Sequence, residues 1–383
     1  MALTLHGTVS DNTVVLSRQN TKPLIINGDM AVAQRSVEET GLGDGDEGYV
    51  TVDRFRHSVG AGAGRFTSKQ TDVTDLAGFS HALELDCTTA DTSIAASEFL
   101  TIDYRLEGQD VQLFKKGFSS AEVFTLSFYA KADAAVTYGI EFRDHDNSRH
   151  CTSTFTTATS WTRHVINIPA DTTGKFNNDN GESLRIRFWL HAGSTYNGGT
   201  APTAWASQSN ANSTSSSNGS FFASTDRSLF LTGVQLEVGE FDANSIAPFQ
   251  HESYIENVER CWRYFEACTG DGGTGIIGQG FLSDGSGRVA TLIGFHPKRA
   301  TPTVTTSAAG TFTGSQGVQA GGVATGFILA AWSNSTGANS GVDAGLGHVH
   351  LDTSGHSSMT DGQICRVANT NGTTAFIKCD SEL

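Results

Sequence analysis

The sequence predicts a mainly β protein: a jelly-roll β-sandwich, then a short helix, then a small C-terminal β domain. Three observations predict it. Residues 23–250 contain about eight short stretches with apolar residues in alternation or brief runs, separated by Gly, Asn, Asp, Ser and Thr clusters. Gly is abundant at 43 residues, whereas charged residues make up only 17% and hydrophobic ones 38%, a profile of turn-rich β material. The apolar period then changes after Pro248 from that of a strand to that of a helix.

Residues 1–22 read as an N-terminal attachment arm. Leu3, Leu5, Val9, Val14, Val15 and Leu16 give two short β-like pieces, too few to build a core. Within the sandwich at 23–250, strands are expected near 49–55, 82–85, 99–104, 123–130, 138–142, 162–168, 184–190 and 229–238. Eight strands of this length suit two packed sheets better than a barrel with a wide lumen. Phe124, Leu126 and Phe128 should face the core, and Arg185 and Arg187 the wet side of their strand. The polar stretch 191–220 reads as a long surface loop whose partial deletion, at 205–219, should leave the fold intact. Residues 251–268 form the connecting amphipathic helix, with Tyr254, Ile255, Val258, Cys261, Trp262 and Phe265 on a domain-packing face. Residues 269–383 open on the turn Gly270-Asp271-Gly272-Gly273 and continue as short strands.

Composition excludes several functions. A net charge of −15 and the absence of a Lys/Arg cluster argue against nucleic-acid binding. No apolar run approaches the ~20 residues that span a bilayer, so no membrane insertion is expected, and Met1–Thr8 lacks the pattern of a signal peptide. The six cysteines are expected as reduced thiols.

For chemistry, Glu141 with Asp144 and Asp103 with Glu98 are the nearest acid–base pairs, but with 40 acidic residues such neighbours arise by chance. There is no nucleophile elbow, no zinc-protease helix motif and no phosphate loop, and no catalytic residue is assigned. Gly60-Ala61-Gly62-Ala63-Gly64 reads as a turn. Asp44-Gly45-Asp46-Glu47-Gly48 and Asp144-His145-Asp146-Asn147 are candidate calcium loops, each short of a full ligand series. Tyr196, Trp205 and Trp332 are candidate glycan or partner contacts, because an aromatic ring can stack on a sugar while Asn and Ser read its hydroxyls. Trp161, Trp189 and Trp262 fall in strand or helix patterns and are assigned to the core. His348 and His350, two apart in a strand, are a candidate metal pair.

Three blocks carry a resemblance. The first is Ile26-Asn27-Gly28-Asp29-Met30 with Ala33-Gln34-Arg35, Tyr49 and Asp53-Arg54-Phe55. The second runs from Thr232-Gly233-Val234-Gln235-Leu236-Glu237-Val238-Gly239-Glu240 through Pro248-Phe249 and Tyr254 to Cys261-Trp262-Arg263-Tyr264-Phe265. The third is Phe295-His296-Pro297-Lys298-Arg299-Ala300-Thr301-Pro302-Thr303-Val304. Together, over roughly 23–383, they resemble tail-fibre-like virion structural proteins of tailed bacteriophages. Read from the residues alone, Asn27-Gly28 is a turn, and Asp53-Arg54 a local polar pair pinning a strand.

The resemblance implies a non-enzymatic virion appendage, assembled in the host cytoplasm and working as a homotrimer. It would contact other virion proteins and host cell-surface polysaccharide, a receptor-binding role in host attachment. It also implies that His348 and His350 from three chains could hold an iron ion on the trimer axis. The chain lacks the long stalk of many relatives, which favours a compact appendage and keeps open a capsid-decorating or head-fibre protein. A glycan-degrading tailspike enzyme fits less well, since no β-helix pattern is visible.

Overall fold

The computed structural model describes residues 22–269 and, beyond them, 276–284, 288–308, 311–316, 319–323, 326–330, 348–354, 364–369 and 375–383, several of these last by backbone alone. The arm at 1–22, apart from Lys22, lies outside the described residues, as do the turn at 270–273 and Trp332.

The sandwich is built from β1 (Glu38–Leu42), β2 (Phe55–Gly60), β3 (Arg65–Asp72), β4 (His81–Thr89), β5 (Phe99–Glu107), β6 (Phe124–Ala132), β7 (Thr137–Asp144), β8 (Arg149–Thr156), β9 (Thr162–Ile168), β10 (Glu182–Ala192), β11 (Ala206–Ser207) and β12 (Ser228–Val238). They form two antiparallel six-stranded sheets, in the orders β1-β3-β4-β12-β6-β9 and β11-β8-β7-β10-β5-β2. One continuous core lies between them. Phe124, Leu126, Phe128 and Ala130 of β6 enter from the first sheet, and Leu184, Ile186, Phe188 and Leu190 of β10 from the second. Strict alternation puts these residues on one face of each pleated strand.

In β12 the alternation is corrected by a bulge. Leu229 and Leu231 face the core, the register against β6 shifts between Thr232 and Gln235, and Val234 and Leu236 return to it. Gly233 absorbs the bulge at a φ of +62°, a conformation that a side chain would strain.

The expected strand at 49–55 is displaced: residues 51–54 are a turn and the strand is β2, beginning at Phe55. The stretch 191–220 is folded onto the sandwich, a correction of the solvated loop. It holds helix α1 (Ser194–Asn197) and the short edge strand β11, and it buries Ser213 and Thr214. Phe221 and Phe222 follow directly in the core.

Helix α2 (Tyr254–Trp262) starts with a reciprocal capping box: Glu256 N donates to Ser253 Oγ and Ser253 N to Glu256 Oε2. Val258 and Cys261 are buried against Ile26, Val32 and Tyr264. Tyr254 and Ile255, at 63% and 54% exposure, are not part of the packing face. Their first-turn position turns them outward while the second turn seats on the sandwich. Phe265 is buried, but as the first residue of a strand beyond the helix.

The C-terminal unit contains β13 (Phe265–Thr269), β14 (Ile276–Asp284), β15 (Arg288–Gly294), β16 (Thr303–Thr306), β17 (Phe312–Gln316), β18 (Gln319–Val323), β19 (Gly326–Ala330), β20 (His348–Ser354), β21 (Ile364–Asn369) and β22 (Phe376–Asp380). Strands β13-β22-β16 form one sheet and β18-β17-β21-β14-β15-β20-β19 another. Its small core joins Ile277, Ile293, Val367, Ala375 and Ile377. The last strand thus lies centrally, beside the strand that leaves α2, and carries residues 380–383 back toward the sandwich.

Candidate functional site

Residues from each of the three resembling blocks come together at one place, the joint between the sandwich and the C-terminal unit. Asn27 is buried with a left-handed backbone at φ +60°, which Asn tolerates better than most residues. Its Nδ2 donates to the carbonyls of Val32 and Asp53, both at 2.9 Å, and its Oδ1 accepts from Val32 N at 2.8 Å. The Asn27 amide donates to Asn257 Oδ1 on α2 at 2.9 Å. Gly28 sits so close to β12 that a Cβ there would lie 2.1 Å from the Val234 carbonyl oxygen, and Val234 N donates to Gly28 O at 2.9 Å. The first block is therefore fastened to the second by backbone approach.

Gln34 links three elements. Its Nε2 donates to Asp53 and to the Phe265 carbonyl, while its Oε1 accepts from Trp262 Nε1 at 3.0 Å. Trp262 is half-buried and stacks on His296 with ring centroids 4.2 Å apart, so it bridges the two units as a partly covered ring. Lys298 donates to the Trp262 carbonyl at 2.7 Å and pairs with Glu266 at 2.6 Å. Arg299 donates to the carbonyls of Asn180 and Glu382, at 2.8 and 2.9 Å. The third block thus closes on the same joint.

Two arginines hold residues 380–382. Arg35 lies over the Phe265 ring, 3.7 Å from its centroid, and reaches Asp380 at 2.9 Å and Glu382 at 3.4 Å. Arg54 lies over Tyr264 at 3.4 Å, pairs with Glu382 and donates to the Arg105 carbonyl at 2.8 Å. Burial alone would lower the Arg54 guanidinium, but Glu382 beside it holds it well above its ordinary value. Asp53 shows the opposite balance: burial pushes its carboxyl up to about 6, against the pull of Arg35 at 3.7 Å. Asp53 and Arg54 are therefore not a local pair; adjacent in sequence, they serve different partners. Arg105 and Tyr49 both donate to the Leu383 oxygen, and Arg263 makes a bidentate pair with buried Glu107 at 2.8 and 2.7 Å.

The carboxylates singled out as acid–base candidates each have a cationic, imidazole or amide partner. Asp103 accepts both arms of Arg187, at 2.8 and 2.9 Å; although burial raises its carboxyl, Arg187 holds it well below the usual range. Glu141 is fully buried between His150 Nδ1 at 2.8 Å and Trp189 Nε1 at 3.2 Å. Glu98 pairs with His191 at 3.2 Å. Asp144 faces Lys116.

That last pair corrects one calcium loop. The Lys116 ammonium sits 2.5 Å from Asp144 Oδ2 and 3.0 Å from Asp171 Oδ2, with the carbonyls of Thr173 and Gly174 at 2.9 and 3.0 Å. A lysine occupies the oxygen cage that a cation would have needed. Asp146 turns away to Asn177. In the other loop, Asp44 accepts from Ala61 N, Asp46 from Gly43 N, and Glu47 pairs with Arg56 at 3.0 Å, an ordinary turn network. No group of three or more metal-ligating side chains occurs among the described residues. His348 and His350 fall in β20, opposite Gly294 and Leu292; their side chains lie outside the described residues.

Of the three ring candidates, Tyr196 is half-buried between Trp189 and Phe99, at centroid distances of 5.2 and 5.3 Å. Trp205 packs on the sandwich core near Phe124, donates Nε1 to the Pro169 carbonyl at 2.8 Å and lies 4.9 Å from the Lys116 ammonium. Both rings anchor the 191–220 stretch, and neither stands as an open platform. A cleft of about 390 Å³ that sequence reasoning missed lies between β8 and residues 199–216. Its lining is Ser, Thr, Gly and Ala, residue types that had looked only like loop filler. Trp161, assigned to the core, is instead a half-buried ring of a side cluster, donating to Asp75 at 2.8 Å.

No protein-family model matches the chain, and no curated protein matches it. Among solved structures it is similar to a family 11 carbohydrate-binding module from Clostridium thermocellum in complex with a β-1,3-1,4-mixed-linked tetrasaccharide, with 13% identity and a TM-score of 0.26 over 54% of this chain and 99% of that one. It is similar to the N-terminal cellulose-binding domain of Cellulomonas fimi β-1,4-glucanase C, with 12% identity and a TM-score of 0.26 over 55% and 99%. The enzymatically active domain of bacteriophage CBA120 tailspike protein 4 gives 10% identity and a TM-score of 0.29 over 56% of this chain but only 21% of that one. At these scores the likenesses assign neither ligand nor activity to this chain.

Proposed function

We propose that this chain is a non-enzymatic structural protein of a tailed-bacteriophage virion, a compact external appendage. It works as a homotrimer, attaches to other virion proteins and presents its sandwich to host-surface glycans. One observation carries this reading. The residues that resemble tail-fibre-like proteins, from Asn27 and Gln34 through Trp262 to Arg299, converge on a buried joint whose effect is mechanical. They tie two β units together by hydrogen bonds and a stacked ring pair, which suits a part that must hold its shape on a particle. The acid–base candidates being held in ion pairs and hydrogen bonds supports a role without catalysis.

Antibody against this chain, applied to purified particles and viewed by electron microscopy, tests the reading. Label on the tail or its periphery is expected. Label on the shell would move the chain to the capsid-decorating class, and particles without label would overturn the proposal. Light scattering of the purified chain should give a mass near three times 40.5 kDa. Incubation with host polysaccharide should release no fragments.

A further inference from the structure

The cleft beside β8 has a composition that selects a ligand. It is lined by Thr152, Ser153 and Thr154 of the strand and by Thr200, Thr203 and Ser216 among the residues facing them, with no ionisable side chain and no aromatic ring. Thr154, Thr200, Thr203 and Ser216 are exposed, and their hydroxyls have no partner among the described residues. Thr152, by contrast, directs both its amide and its hydroxyl to the Pro202 carbonyl, at 2.6 and 3.0 Å, which ties the far wall to the strand.

The walls are preformed. Thr214, almost fully buried, donates from its amide to the Tyr196 carbonyl at 3.1 Å and from its hydroxyl to Asn218 Oδ1 at 3.0 Å. The same Asn218 oxygen accepts from Gly139 N of β7 at 2.7 Å. A Cβ at Gly139 would lie 1.9 Å from Thr214 Oγ1, so the glycine lets residues 214–218 seat directly on the sheet. Gly199 N donates to Ala211 O at 2.7 Å and closes the mouth of the loop.

The geometry points to this cleft as a binding site for a neutral saccharide, a segment of one or two sugar rings. The inference rests on the glycan-facing part of the proposed function and gives it a location. Hydroxyls that both donate and accept match the hydroxyls of a sugar. About 390 Å³ is within the range of small-molecule sites. Carboxylated or phosphorylated sugars are disfavoured, because no cation lines the cleft to meet them and the chain carries a net charge of −15. With no ring to stack on, a single site is weak, and several copies on one particle raise the effective affinity.

The test uses the full chain with saturation-transfer NMR against a panel of neutral disaccharides (maltose, cellobiose, lactose) and acidic controls (sialyllactose, digalacturonate). At least one neutral sugar should bind in the millimolar range, and the acidic ones should not. Because the altered side chains are exposed, T154V/T203V and Ser216→Ala should melt like the parent. The double variant should bind about tenfold more weakly, the loss of one or two hydrogen bonds. No neutral saccharide bound at tens of millimolar, binding unchanged in the variants, or preference for the acidic controls would each overturn the inference. Antibody labelling of particles separates the two proposals. A labelled particle with no saccharide binding removes the cleft site and leaves the appendage; saccharide binding with no label does the reverse.

Discussion

Arg54 is a cation enclosed in protein, its side chain 1% exposed and its partner Glu382 only 6%. Replacing it with Met leaves the carboxylate buried with Arg35 as its remaining partner, at 3.4 Å. We expect Arg54→Met to cost about 3 kcal/mol in denaturant unfolding. Adding Glu382→Leu should recover part of that loss, since removing both charges avoids the uncompensated one. A loss below ~1 kcal/mol would match an exposed pair and contradict the buried joint. Two other buried groups set a pH response. Burial lowers the His57 imidazole to about 4 from its ordinary 6.5, so its contribution is full above pH 6.5 and is lost as the pH falls through 4. Asp53, raised from 3.8 to about 6, acts in the opposite sense: its contribution is full below pH 3.8 and is lost as the pH rises through 6. Over the shared window the two offset. Thermal melts from pH 4 to 6.5 should therefore show Asp53→Asn losing stability on acidification more steeply than the parent. A parallel pair of profiles would contradict the assignment.

At the scale of elements, the 191–220 stretch behaves as part of the sandwich. Deleting residues 205–219 removes Trp205 from the core margin, together with the Thr214–Asn218 seat on Gly139. Losing the Trp205 ring alone is expected to cost ~3 kcal/mol. The melting temperature should fall well below the parent's, whereas a melt unchanged by the deletion would restore the passive loop. The sequence showed the strongly apolar elements, because β6, β10 and β12 fill one face with Phe, Leu and Ile. It hid β3 and β8, written RFTSKQTD and RHCTSTFT, whose Thr and Ser blur the two-residue period. It placed a helix at α2 but gave it two residues too many on the packed face, since local spacing does not say which turn meets a neighbour. The joint was visible only as three separate blocks. Arg54 and Glu382 stand 328 positions apart, and no local period links them. The cleft left no signal beyond a run of small polar residues, a composition equally natural for a solvated turn.

At the scale of the whole molecule, two β units are fixed to one another by ion pairs, stacked rings and a returning strand. A net charge of −15 favours the solubility of such a body. The oxygen cage around Lys116 has a consequence for where the body can work. A bound metal leaves when its supply is diluted or sequestered, and a site built for one empties in a medium that lacks it. A cation delivered on its own carbon stem cannot be washed out. Excess EDTA should therefore leave the thermal melt unchanged, and a fall in melting temperature would reveal a metal dependence that the cage does not explain. Lys116→Met, which leaves the buried Asp144 carboxylate facing no ammonium, should cost about 3 kcal/mol by contrast. This corner of the sandwich carries its own cation and does not depend on one borrowed from the medium.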